Sequence, residues 1–209
     1  MFNEIPPFTR YFMTATFLLS FGMTYKLLNP YHLLLDFELV FKKIHIWRLL
    51  TPFLFAGTFS QSFLFSLVMS YFMLVRTESL FKNRYGDFMT MCLFLMFSVT
   101  FFSWLYGNHM VLHDQFIFAL MYVWCKMEPN TMVQLYFLPV QSANLPWVLL
   151  VISILSGGDP FKDLIGIAAG HSFVYLKMVL PNTHGYKFLE TPKLFERIVR
   201  WIEEKANGG

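Results

Sequence analysis

LLTPFLFAGTFSQSFLFSLVMSYFMLV, residues Leu49 to Val75, holds no charged side chain and is longer than the ~20 residues that cross a ~30 Å hydrocarbon core. It predicts a transmembrane helix, and the chain on either side is read outward from it. Phe88 to Asn108 is nearly as strong a span. Pro129 to Gly158 is also uncharged, but Pro139, Asn144 and Pro146 interrupt it, leaving Leu145 to Ser156 as the part fit for an unbroken helix. Three further runs are marginal. Tyr11 to Tyr25 ends at Lys26, Gln115 to Cys125 follows His113 and Asp114, and Leu164 to Leu176 lies between Asp163 and Lys177. Hydropathy therefore allows between four and six spans.

Composition agrees with a membrane-embedded chain. The 209 residues are 56% hydrophobic, 20% aromatic and 14% charged, where charged residues make up about a quarter of an average soluble domain. Cys92 and Cys125 fall inside apolar runs, which gives neither a metal-ligand spacing nor a disulfide framework. No cofactor or metal is expected. The N-terminus has no basic region and no small-residue cleavage site, so its first apolar run is taken as a retained span. The net charge of +3 is spread along the chain without clustered arginines or lysines, which argues against a nucleic-acid partner.

With six spans and a cytosolic N-terminus, one face holds Arg10, Arg76, Lys82, Arg84, Lys126, Lys177, Lys187, Lys193, Arg197, Arg200 and Lys205, eleven of the sixteen basic residues. The other keeps Lys26, Lys42, Lys43, Arg48 and Lys162. That asymmetry places both termini in the cytosol. Tyr31 to Trp47 mixes apolar residues with Asp36, Glu38, Lys42 and Lys43, as expected of a loop lying in the far-side headgroup region. At the other end Thr191 is a candidate N-cap and Pro192 a first helical residue, after which Leu194, Phe195, Ile198, Val199 and Ile202 share one face. A short cytosolic amphipathic helix is expected there. Residues 1–190 thus read as the membrane domain and 191–209 as its tail.

Several short sequences are similar to those of one family. Ile5-Pro6-Pro7-Phe8-Thr9-Arg10-Tyr11 resembles the N-terminal derlin signature, and Ile46-Trp47-Arg48 resembles the Trp-Arg pair of rhomboid-fold proteins. Leu145-Pro146-Trp147-Val148, Gly166-Ile167-Ala168-Ala169-Gly170-His171 and Phe188-Leu189-Glu190-Thr191-Pro192 continue the series. Each is weak alone, but in order they span almost the whole chain. The resemblance to derlins implies an all-α, rhomboid-like bundle of six transmembrane helices, with an interfacial loop after the first, in the endoplasmic reticulum membrane. It also implies work with a membrane ubiquitin ligase complex and a cytosolic AAA ATPase in moving misfolded client proteins to the cytosol. Membrane lipid is a further partner, and homo- or hetero-oligomers are compatible with it. Many derlins carry a glycine-and-arginine motif in a longer tail that binds the ATPase. The residues up to Gly209 lack it, so the resemblance does not extend to direct recruitment of the ATPase, which is left open between direct and indirect.

The same resemblance allows a check for catalysis. A rhomboid protease needs a serine in a Gly-x-Ser-Gly turn at the start of its fourth helix. It also needs a histidine three residues before the first glycine of the Gly-x-x-x-Gly run on its sixth, acting as general base. Here the position three before Gly166 is Asp163. The fourth span opens His113-Asp114-Gln115, with no serine or glycine between Leu112 and Cys125. Asp114 and Asp163 therefore stand at lost catalytic positions, and no enzyme activity is expected. His171, one residue past the second glycine, is read as a packing or cavity histidine. His113 and Asp114 could relay protons, yet with Asn108 and His109 just upstream they read as a hydrated far-side mouth.

The remaining features concern packing and passage. Thr58, Ser62, Ser66 and Ser70 recur every four residues in the second span; the stripe is either a close-packing face or, with Gln61, the wall of a hydrated groove. In the derlin arrangement that groove would open sideways between the second and fifth helices. Gly166 and Gly170 share one helix face and allow close approach of a neighbour. Trp47 and Arg48 are read as the anchor of the interfacial loop at headgroup level. The charge-free run Leu164 to Leu176 would cover only ~20 Å, which would thin the bilayer locally and ease the passage of a polar chain. Two other functions share parts of this pattern: an intramembrane serine protease, which needs a Ser-His pair, and a small-solute transporter or channel, for which the Pro139 to Pro146 break is the sole hint.

Overall fold

A computed structural model describes residues 5–29, 33–35, 37–43, 45–82, 84–107, 111–135 and 138–184. The uncharged run from Leu49 to Val75 does not form a single helix. A one-turn helix α3 (Thr51–Leu54) is followed by extended backbone at Phe55 and by Gly57, whose φ of +107° is open to glycine alone at low cost. Ser60 then accepts a hydrogen bond from the Phe63 amide at 3.2 Å, which caps helix α4 (Gln61–Leu80). The span is displaced toward the C-terminus, and it takes in Arg76 and Glu78. Both charges find partners. Arg76 lies over the Trp124 ring at 4.9 Å, and Glu78 is bonded to the start of another helix.

Before it come α1 (Pro7–Thr24), α2 (Phe37–Lys43) and a 3-10 turn, Ile46–Leu49. Thr9, Phe12, Thr16, Ser20 and Met23 recur at three- or four-residue intervals and form the buried face of α1. Helix α5 (Tyr85–Tyr106) ends at Gly107, which has a φ of +129°. Helix α6 (His113–Met127) runs through the middle of the bundle and packs against α3, α4, α5 and two later helices. Its side chains from Gln115 to Cys125 are buried except Phe118, which is half-buried. Other helices cover α6, and of the His113 and Asp114 that made this run marginal by hydropathy, His113 is buried and Asp114 is exposed.

An antiparallel hairpin follows, β1 (Met132–Leu135) with β2 (Leu138–Gln141), in the register Met132↔Gln141 and Leu135↔Leu138. The all-helical expectation did not include it. Pro139 sits at one of its paired positions, opposite Gln134. Helix α7 (Leu145–Leu155) has only 11 residues. Helix α8 (Pro160–Val174) opens with Asp159, which accepts a hydrogen bond from the Phe161 amide at 3.1 Å, and continues through a π-helical turn, Tyr175–Val179, into α9 (Leu180–His184).

Three helical stretches among the described residues are long and apolar enough to cross a membrane: Gln61–Leu80, Tyr85–Tyr106 and Pro160–Thr183. The third corrects the expectation of a short sixth span. Its 24 residues amount to ~36 Å, because Lys177 does not stop the helix. The Lys177 ammonium pairs with Asp87 Oδ1 at 3.2 Å, so its charge is offset within the helical stretch. The expected amphipathic helix of 191–209 and the Phe188 to Pro192 sequence lie outside the described residues, as do Asn108 and His109.

Candidate functional site

Helices α6 and α8 meet through glycine. A Cβ on Gly166 would stand 2.7 Å from the Gln115 carbonyl oxygen and 2.7 Å from the Phe118 Cβ; on Gly170 it would stand 2.9 Å from the Ala119 carbonyl oxygen. These are backbone contacts, which no rotamer change relieves, so the two axes approach as closely as they do only because both side chains are hydrogen. His171, next to Gly170, extends the same seam. Its Nδ1 lies 2.8 Å from the Tyr122 hydroxyl, and the rings meet edge to face.

Helices α4 and α7 both pack on α6, and between them lies a partly open cavity of about 420 Å³. Its lining includes the apolar Phe65, Met69, Ile117, Phe118, Leu149 and Ile152. It also includes Ser66, Ser70, Ser153 and Ser156 and the carboxyl groups of Asp114 and Asp163. Ser66 donates to Asp114 Oδ1 at 2.9 Å, and Ser153 lines the same cavity as Asp163. Asp114 and Asp163, which the resemblance sets at lost catalytic positions, therefore line the same cavity.

Of the predicted groove residues, Ser66 and Ser70 line this cavity and Thr58, Gln61 and Ser62 do not. The reason is where α4 begins. Thr58 precedes the helix, so it is off the four-residue stripe, while Gln61 and Ser62 occupy the exposed first turn, where Ser62 Oγ lies 2.9 Å from Ser60 Oγ. The hydroxyl groups that complete the lining, Ser153 and Ser156, stand 83 and more residues further along the chain than Ser70. Sequence spacing within one helix could not reveal them.

A Ser-His contact exists elsewhere. Ser70 Oγ lies 2.8 Å from His113 Nε2, and His113 Nδ1 lies 2.7 Å from the Phe53 carbonyl oxygen. The carbonyl can only accept, so Nδ1 carries a proton. The Ser70 hydroxyl has one proton and a second acceptor at 2.6 Å, the Ser66 carbonyl. Both side chains are fully buried, and a main-chain carbonyl stands where a nucleophilic dyad has its orienting carboxylate. The contact ties α3, α4 and α6 together. It presents no accessible nucleophile, and Phe12 stacks on the imidazole with ring centroids 5.9 Å apart.

The loop anchor is also internal. Arg48 is 3% exposed and its Nη1 donates to the Leu34 carbonyl at 3.1 Å, while Thr51 donates to the Leu33 carbonyl at 2.7 Å. Arg48 thus fixes the loop by holding its backbone, and does not reach out to headgroups as expected. Trp47 is half exposed and stacks on His45 at 4.5 Å. Among the described residues no cluster of three or more His, Cys, Asp or Glu side chains is arranged for a metal ion.

Comparison with known proteins decides the family. The model of the Der1-like family matches residues 5–193. This chain belongs to the Der1-like family. It is 35% identical to Derlin-1 of Arabidopsis thaliana over 208 residues, covering 96% of this chain and 77% of that protein. Derlin-1.1 of Zea mays is 32% identical over 201 residues, at 95% and 83% coverage. Derlin-2 of Oryza sativa subsp. japonica is 32% identical over 211 residues, at 94% and 84%.

In this Der1-like chain the N-terminal sequence Pro6-Pro7-Phe8-Thr9 has a structural partner that sequence reasoning missed. Glu78, 1% exposed, accepts from the Phe8 amide at 2.9 Å, the Thr9 amide at 2.8 Å and the Thr9 hydroxyl at 2.7 Å. Pro7 opens α1 without an amide to satisfy, and the next two amides, which no turn of α1 can reach, are taken by a carboxylate of α4. The only signal in the sequence is a lone carboxylate one turn beyond an uncharged run.

Proposed function

We propose that this Der1-like membrane protein is a non-enzymatic retrotranslocation factor of endoplasmic-reticulum-associated degradation. It would recognise misfolded clients at the cavity between α4 and α7 and ease their passage to the cytosol. The supporting observation is the mixed lining of that cavity. The hydroxyls of Ser66, Ser153 and Ser156 and the carboxyl groups of Asp114 and Asp163 can satisfy a peptide backbone, while Phe65, Met69, Leu149 and Ile152 accept apolar side chains. A passing polypeptide needs both. In this reading α1, α4, α5, α6, α7 and α8 are the six spans, both termini are cytosolic as the positive-inside rule favours, and the partners are a membrane ubiquitin ligase complex and a cytosolic AAA ATPase. Thinning of the bilayer is assigned to α7, whose 11 residues reach ~16 Å.

The test is to fill the cavity. In cells lacking their own copy, Ser66→Leu and Ser153→Leu should slow clearance of a misfolded reporter, whereas Ser62→Leu, off the cavity, should clear it as the parent does. Equal clearance by all three at equal expression would refute the cavity as the client site.

A further inference from the structure

Helices α6 and α8 run parallel, since Gly166 meets Gln115 and Gly170, one turn on, meets Ala119. Asp114 and Asp163 both belong to the first turns of these helices, so their carboxyl groups stand at one end of the bundle, and both line the cavity of about 420 Å³. Their charges repel. Among the described residues neither forms an ion pair. Asp114 takes a neutral hydroxyl, from Ser66 at 2.9 Å, and Asp163 Oδ2 is buried without a hydrogen-bond donor. Lys162 precedes Asp163 in the chain and offsets its charge in part, from an exposed position. The cavity also holds Phe65, Met69, Leu149 and Ile152, so the two carboxylates share it with surface that does nothing to stabilise them.

A guest that suits this lining carries a cation on an apolar stem. We infer that Asp114 and Asp163 select client membrane segments that bear an unpaired arginine or lysine, which deepens the client site proposed above and rests on it. A basic side chain matches in two respects. Its methylene stem lies along apolar residues while its head is drawn to the carboxylates. A guanidinium fork donates to two carboxyl oxygens at once, and so supplies the donor that Asp163 Oδ2 lacks. A metal ion matches less well, because among the described residues no third His, Cys, Asp or Glu joins the pair. A basic residue inside a membrane helix is costly unless it is paired, and a correctly assembled helix keeps it paired. The cavity thereby distinguishes a segment that has lost its partner from one that has kept it.

The experiment places the full chain in vesicles of neutral phosphatidylcholine with a synthetic apolar helical peptide that carries one arginine, one turn inside its end, beside a photoactivatable residue. Two matching peptides have glutamine or glutamate in place of the arginine. After illumination, the crosslinks are mapped by mass spectrometry. The arginine peptide should label α4 and α7 at about tenfold lower concentration than the glutamine peptide, with the glutamate peptide weaker still. Asp114→Asn combined with Asp163→Asn should bring the arginine peptide to the level of the glutamine one, whereas Asp163→Asn alone leaves Asp114 to hold the cation and keeps part of the preference. If the double variant melts too low to be used, the three peptides on the parent chain decide. Equal label by all three at α4 and α7 would overturn charge selection and leave the client site standing, and an arginine preference that survives the double variant would overturn it as well. Label absent from α4 and α7 with every peptide would overturn both.

Discussion

A carboxylate held inside a membrane bundle has to be met by donors, and Glu78 is met by the first amides of α1. Removing it leaves the amides of Phe8 and Thr9 buried or half-buried without a partner. Glu78→Ala should therefore lower stability by about 3 kcal/mol, read as thermal unfolding in detergent, with Glu78→Gln losing less because one oxygen can still accept. An unchanged melting temperature for the alanine variant would contradict the capping role. The glycines behave in the opposite sense, since their function is to leave space. Gly166→Ala and Gly170→Ala each drive a Cβ to within 2.9 Å of a main-chain oxygen of α6, a cost of about 2–3 kcal/mol, and leucine at either position is worse. Degradation of a misfolded reporter should stall with either leucine variant. Asp163→Asn keeps the size of its side chain at the cavity wall and should leave clearance largely intact. A fast leucine variant together with a blocked asparagine variant would reverse the assignment and give Asp163 a chemical role.

Among the elements, α7 and α8 differ in how they meet the bilayer. Helix α8 with its π-helical continuation is long enough to span, and Lys177 is carried within it because Asp87 lies 3.2 Å away on α5. Helix α7 has 11 residues, and the 3-10 turn Ser142–Asn144 that leads into it extends the helical run only to Ser142–Leu155, with Gly157, at a φ of +76°, just beyond its end. Under the proposed function, mismatch with the hydrocarbon core would be concentrated beside the cavity. Inserting four leucines after Val151 would bring α7 to ~22 Å and should slow reporter clearance while leaving expression unchanged. If clearance keeps its rate, α7 length does not set the passage step.

For the whole molecule the decisive observations are orientation and reactivity. The eleven-to-five division of basic residues predicts that a glycosylation acceptor placed after Gly209 stays unmodified while one near Asn29 is used. The opposite pattern would invert the protein. A fluorophosphonate probe should leave the purified protein unlabelled, because the Ser70 hydroxyl lies fully buried between the Ser66 carbonyl and His113. Labelling at Ser70 would show that the α4–α6 contact opens to solvent and would revive the protease alternative.

What the residues determine alone follows from local chemistry. Charge-free runs such as 61–75 and 88–106 have no stable place except a membrane or a core. Gly166 and Gly170 on one helical face announce a close contact before the partner is known, and the ordered short sequences from Ile5 to Pro192 identify the family. What only the tertiary structure decides involves residues far apart in the chain. Lys177 could end a helix or lie within one, and Asp87, 90 residues away, determines which. Thr58 belongs to the serine stripe by counting and is removed from it by a turn at Gly57. The cavity lining joins serines of two helices to two carboxylates, and Glu78 finds its amides 69 and 70 residues away. Hydrogen bonds and ion pairs at such separations leave no periodicity in the sequence, because loop closure and packing bring the partners together.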